Sequence, residues 1–184
     1  MAVAARVAFA AVLLVVAACA APEFPKNRPS DDGFRAEDAA VYNAVLPQYP
    51  ISANVLGKDI RLLAYTDIRK DPIQPQADRW YEPSGGKLPP MVVSHAILRD
   101  FTNRNQRHVS LSDYQPRDLK LSRTNEPDLP LLSLTLPGYS PDCDSAIVEI
   151  SIFTSGLSGG GELVYLRKVS GQWRVIAKQQ RWIS

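Results

Sequence analysis

The chain has 184 residues, 45% hydrophobic and 22% charged, with a formal net charge of +2. That length holds one domain and a short appendage, and so small a charge argues against a dedicated nucleic-acid binder. Fifteen prolines do not make the chain disordered, because apolar runs recur to its last residues.

The composition is uneven. In residues 1–21 the one polar side chain is Arg6. Residues 7–18 (VAFAAVLLVVAA) are an unbroken apolar run. As a helix they reach ~18 Å, short of a ~30 Å hydrocarbon core. With Arg6 ahead of them, residues 1–18 read as a cleaved export signal. No later stretch approaches the ~20 apolar residues of a spanning helix, so the body is not expected to be integral to a membrane. Val16-Ala17-Ala18-Cys19 follows at once and resembles the bacterial lipobox: an aliphatic residue, two small residues and a cysteine. The resemblance implies a lipoprotein, with cleavage before Cys19, a thioether-linked diacylglycerol on its sulfur and acylation of its new amine. A thiol is needed because the thiolate is the nucleophile that takes the lipid. In such lipoproteins an Asp after the cysteine signals inner-membrane retention. Here Ala20 stands there, which favours the outer membrane facing the periplasm. Several acyl chains make such an anchor effectively permanent. An ordinary secretory signal cut near Ala18-Cys19-Ala20, giving a secreted or periplasmic soluble protein, is the alternative.

The second cysteine is Cys143, flanked by Asp142 and Asp144. If Cys19 carries lipid, no intrachain disulfide can form and Cys143 is an odd thiol. It is then a tolerated loop residue or an intermolecular bridge.

Residues 19–34 carry three prolines and read as a tether. Residues 35–46 predict a helix, with Val41, Tyr42, Val45 and Leu46 on one stripe and Glu37 and Asp38 in the first turn; Pro47 ends it. Residues 59–66 read as a strand. Residues 67–90, with five prolines and Gly85-Gly86, show no period and read as a long loop, a class of segment that is functional or mobile. Residues 91–103 give the clearest helix, in which Asp100 interrupts an apolar stripe. Residues 104–130 are polar and proline-broken, with a short strand at 119–121. Residues 131–136 and 145–154 read as strands, and 161–169 with 172–183 as a hairpin across Ser170-Gly171. A two-residue turn there sets Lys168 opposite Trp173, Leu166 opposite Val175 and Val164 opposite Ala177. It also sets Arg167 opposite Arg174, so a longer turn stays open. In that register Val164, Leu166, Trp173, Val175 and Ala177 form the apolar face. Arg167, Arg174 and Lys178 lie outside, around Tyr165 and Ile176.

Residues 35–184 therefore predict a single α+β domain: one or two helices of the N-terminal half packed on a curved antiparallel sheet that ends in a meander. The ending (GGGELVYLRKVSGQWRVIAKQQRWIS) resembles a pattern in small exported bacterial proteins and the last strands of NTF2-like and cystatin-like folds. Asp100-Phe101 with Asn105 resembles a helix-end motif of the same uncharacterised proteins. These resemblances imply a curved sheet on a helix and no particular reaction.

No catalytic constellation emerges. Gly156-Leu157-Ser158-Gly159-Gly160 matches G-x-S-x-G, but a strand follows where a nucleophile elbow needs a helix, and no His lies after it. His95 and His108 lack metal-ligand spacing, and the loop acids Asp67, Asp71, Asp78 and Glu82 lack that of a calcium loop. No metal and no cofactor is expected. The candidate binding residues are Trp80 and Tyr81, large aromatics in a loop, together with Asp100 and His95. Arg167, Lys168, Arg174, Lys178 and Arg181 oppose Glu162 alone in the last 35 residues, a basic hairpin suited to anionic headgroups or an acidic partner. The expected role is a lipid-anchored binding or accessory component of the cell envelope, with the membrane and an envelope protein as partners and the oligomeric state open. A small-ligand or enzymatic NTF2-like domain, with a pocket in the concave sheet face reached by Asp100 or His95, is the alternative.

Overall fold

The computed structural model describes residues 34, 36–49, 60–63, 66–68, 72–111, 114, 121–122, 130–155 and 158–184. The expected export signal, Cys19, the tether up to residue 33, Asp71, Gly156 and Leu157 lie outside the described residues.

Among the described residues, two α-helices and seven strands alternate unevenly. Helix α1 is Ala36–Val45, and its buried stripe is Asp38, Val41, Tyr42 and Val45, at the i, i+3, i+4, i+7 spacing of one helix face. Pro47 turns the chain into a short 3-10 segment, Leu46–Gln48. Strand β1 is Ile60–Leu62, shorter than the sequence suggests. Helix α2 is His95–Arg104. It starts four residues later than the apolar pattern implies, because Ser94 caps it: the Ser94 hydroxyl accepts from the Ile97 N–H at 3.4 Å. The remaining strands are β2 (Leu121–Ser122), β3 (Leu131–Leu134), β4 (Gly138–Tyr139), β5 (Ser145–Ser155), β6 (Ser158–Val169) and β7 (Gln172–Ile183).

The strands form one sheet ordered β2-β1-β3-β5-β6-β7, with β4 paired to β5. The α+β class and the antiparallel C-terminal meander are as expected; at the far edge β1 runs parallel to both β2 and β3. The β6–β7 turn is the two-residue one. Val169 pairs with Gln172, and Ser170 (φ 53°) and Gly171 (φ 78°) both take the positive φ that a hairpin turn of matching twist requires.

Both faces of the sheet are covered. Ala146, Val148, Ile150, Val164, Leu166 and Trp173 pack with Val41, Tyr42 and Val45 of α1. Their chain neighbours Ile147 and Leu163 pack with Ile97 and Phe101 of α2, and with Ile73, Trp80 and Val93. Alternate strand residues point to opposite faces, so the two helices lie on opposite sides of the sheet. The sequence reading of one apolar and one solvated face is corrected accordingly.

A bulge in β7 adds to the second face. Leu166 opposes Val175 as expected, but Tyr165 opposes Ala177 and Val164 opposes Lys178, leaving Ile176 as the extra residue. One extra residue moves the side chains that follow to the other face, until a second bulge at Arg181 shifts them back. Ala177 thus joins the α2 side, and Lys178, expected outside, is 6% exposed on the α1 side. Its Nζ sits 4.4 Å from the centre of the Tyr49 ring and 3.5 Å from the Gln48 carbonyl oxygen.

Residues 72–94 are aperiodic in sequence yet tied down. The fully buried Gln179 side chain accepts from the Gln76 N–H at 3.0 Å and donates to the Gln76 carbonyl at 2.6 Å. Tyr81 exchanges two backbone hydrogen bonds with Lys178 on the outer edge of β7. An irregular segment can lie on a sheet when its backbone polar groups find partners this way.

Candidate binding grooves

An amide, a carboxylate, a guanidinium and the Phe101 backbone, all from α2 and its cap, grip one short segment. Asn105, fully buried, donates from Nδ2 to the carbonyls of Phe101 and Leu136 at 2.8 Å each and accepts from the Leu136 N–H at 2.7 Å. Asp100 accepts from the Tyr139 N–H at 2.8 Å. Arg104 donates to the Pro137 carbonyl at 2.5 Å, and a Cβ on Gly138 would collide with the backbone and Cβ of Phe101. The Asp100-Phe101-Asn105 motif is therefore a clamp on residues 136–139. The candidate ligand group Asp100 is engaged in that clamp.

Arg104 also forms a bidentate pair with the buried Asp38 of α1, at 2.9 and 2.8 Å. The Tyr139 hydroxyl donates to the same carboxylate at 2.8 Å. Burial, opposed by the Asp38 hydrogen bond and charge, leaves the Arg104 guanidinium held above its ordinary range. Burial and the Asp38 charge hold Tyr139 protonated far above the usual phenol range.

Trp80 and Tyr81 separate at the sheet edge. Trp80 is 1% exposed, sits edge-on to Tyr165 at 6.4 Å, and fills the α2 core. Its Nε1 is the buried side-chain polar atom without a partner among the described residues. Tyr81 faces the other way: its hydroxyl and that of Tyr49 both donate to the Glu162 carboxylate, the latter at 2.7 Å. Burial first, and then Glu162, push both phenols upward in pKa.

Two surface grooves border the α2 layer. The first, ≈ 560 Å³, runs between the proline-rich segment Pro72–Ala77, residues 91–93 and the outer side of α2, where His95, Leu98, Arg99, Thr102 and Asn103 line it. Val92 on its rim is 84% exposed. The second, ≈ 480 Å³, lies between residues 78–81, Lys87 and the end of β7 at Gln180–Ile183. The structure thus places His95 in one groove and Trp80 and Tyr81 in the other, with Asp100 in neither. The space between α2 and the sheet, where a concave pocket was one expectation, is occupied by Trp80, Ile97, Phe101, Ile147 and Leu163.

The other sequence candidates scatter. His108 approaches the Thr66 carbonyl at 2.6 Å through Nδ1. Asp67 accepts from the Ser133 hydroxyl at 2.9 Å, whereas Asp78 and Glu82 are exposed. Ser158 begins strand β6, so a strand follows it. The expected basic hairpin face divides: Lys168 turns onto α1 and pairs with Glu37 at 2.5 Å, Lys178 is buried, and Arg167 and Arg174 stay exposed near the turn. Cys143 is disulfide-bonded, so it is not a free loop thiol. No sequence period marks the first groove, because its walls come from segments some twenty residues apart; its one sequence signal is the Val92-Val93 pair before a Ser cap, of which Val92 is exposed and Val93 buried. No family model, curated protein or solved structure matches this chain.

Proposed function

We propose that this chain is an exported, lipid-anchored component of the cell envelope that acts by binding a partner protein along α2 rather than by catalysis. The observation that carries the reading is the first groove, where an exposed valine and an aliphatic floor border His95 and Arg99 in a domain packed on both faces of its sheet. Isolated surface apolar residues need no explanation, but one on the rim of a groove of ligand-binding size does. The lipobox-like Val16-Ala17-Ala18-Cys19 supports the anchor.

A photo-crosslinking residue at Val92, introduced in intact cells, tests the binding role. We expect one dominant envelope adduct, lost when His95→Glu is added and absent when the probe stands at Arg167. The same products from positions 92 and 167 would refute it.

The disulfide at Cys143 favours a second reading, a lipid-free exported protein in which Cys143 and Cys19 are joined. One sulfur cannot hold both a thioether and a disulfide. Intact-mass spectrometry of the native product decides: an acylated Cys19 supports the anchor, and an unlipidated, oxidised chain supports the second reading.

A further inference from the structure

The second groove carries chemistry that neither the clamp nor the first groove uses. Arg79, Lys87 and Arg181 line it, all exposed, and none has an ion-pair partner among the described residues. Asp78 is the one acid in the same lining. Of the other cations, Arg104 is engaged with Asp38, Lys168 with Glu37 and Lys178 with the Tyr49 ring, while Arg99, Arg167 and Arg174 are exposed without an ion pair among the described residues but lie outside this groove. Three uncommitted cations around a concavity leave a positive field that attracts an anion.

The rest of the wall is not suited to a bare anion. Ile183 is 70% exposed and Trp182 is half-buried, stacked on Phe153 with centroids 5.3 Å apart. The glycines of β6 make this packing fit, since a Cβ on Gly161 would strike the Trp182 indole. An exposed aliphatic, an indole and cations in one patch are the residue set of a membrane interface, where rings and alkyl groups meet the acyl boundary and cations meet phosphate. Trp80, whose N–H lacks a partner, stands in the same wall.

We propose that this groove seats the headgroup of an anionic phospholipid, the phosphate between Arg79, Lys87 and Arg181 and the first acyl carbons against Ile183 and Trp182. The site uses no residue before Asp78 and stands independently of the anchor and of the α2 groove.

Calorimetric titration of the purified full chain, in nonionic detergent, with dihexanoyl-phosphatidylglycerol below its micelle concentration tests the proposal. At ~1 kcal/mol per cation, or about fivefold each, it should bind about a hundredfold more tightly than dihexanoyl-phosphatidylcholine. Arg79→Gln, Lys87→Gln and Arg181→Gln together should abolish that margin, and Ile183→Asp alone should weaken binding about tenfold. Arg167→Gln with Arg174→Gln, roughly 20 Å or more along β7, should change nothing. Equal binding of the phosphatidylcholine, wild-type binding by the triple or the Ile183 variant, or no binding at all would overturn the proposal. Glycerol 3-phosphate binding as tightly as the lipid would overturn the acyl contact and leave a free-phosphate site.

Discussion

The two faces of the sheet are built by opposite strategies. On the α1 face, polar groups close on one another: Asp38 holds Arg104 and Tyr139, Glu37 holds Trp173 Nε1 and Lys168, and Glu162 holds Tyr49 and Tyr81. On the α2 face the apolar cluster is bordered by buried polar residues such as Glu149, Ser151 and Gln179, its covering segment is irregular, and capacity is left over: polar in Trp80 Nε1 and in Arg79, Lys87 and Arg181, which have no ion pair among the described residues, and apolar in the exposed Val92. A satisfied network has nothing to offer a ligand, and a surplus does. The α1 side therefore reads as framework and the α2 side as the working surface.

The comparison breaks most readily at the ion pair that links the two layers. Arg104→Ala leaves Asp38 buried and uncompensated, and should cost ~3–5 kcal/mol in urea unfolding; a loss under 1 kcal/mol would mean that the network is not what joins the layers. Gly138→Ala tests the clamp from the other side. The added methyl meets the α2 backbone at Phe101, which cannot rotate away, so a loss of ~1–3 kcal/mol is expected by the same measurement.

Alkaline unfolding sharpens the contrast. Burial, then the Asp38 charge, raise the pKa of Tyr42 well above the ordinary phenol value of about 10. Its hydroxyl donates to the Thr135 carbonyl at 2.8 Å. The folded chain keeps this proton while the unfolded chain loses it near pH 10. The contribution is thus intact below pH 10 and is lost as pH rises further, with a slope of ~1.4 kcal/mol per pH unit for each such tyrosine. Tyr42→Phe should flatten the fall in urea midpoint above pH 10, and an unchanged slope would reject the assignment. The smallest effect belongs to the working surface: Val92→Asp should move stability by no more than ~0.5 kcal/mol while abolishing capture of a partner by a crosslinker placed at neighbouring Ser94.

Much of the fold is legible because local patterns and tertiary packing agree. The stripe of Val41, Tyr42 and Val45, the alternation of Ala146, Val148 and Ile150, and the Ser170-Gly171 turn each state their structure in a few adjacent residues. The grooves are less legible. His95, Trp80 and Tyr81 could be singled out one by one, but nothing in their spacing says that His95 and the aromatics line different grooves. Asp100 drew attention as a charge on an apolar stripe, and only the approach of Tyr139 explains it.

By itself the chain specifies the α+β class, both helices and the C-terminal meander, since periods of 3.6 and 2 arise from neighbouring residues alone. Tertiary structure decides the rest. The bulge at Ile176 turns Lys178 inward and Ala177 toward α2, the residues 72–94 become a wall through Gln179 and Tyr81, and Arg79, Lys87 and Arg181 meet around one groove. The bulge depends on pairing across a hairpin and the other two on contacts between residues some hundred positions apart, and no local periodicity records them.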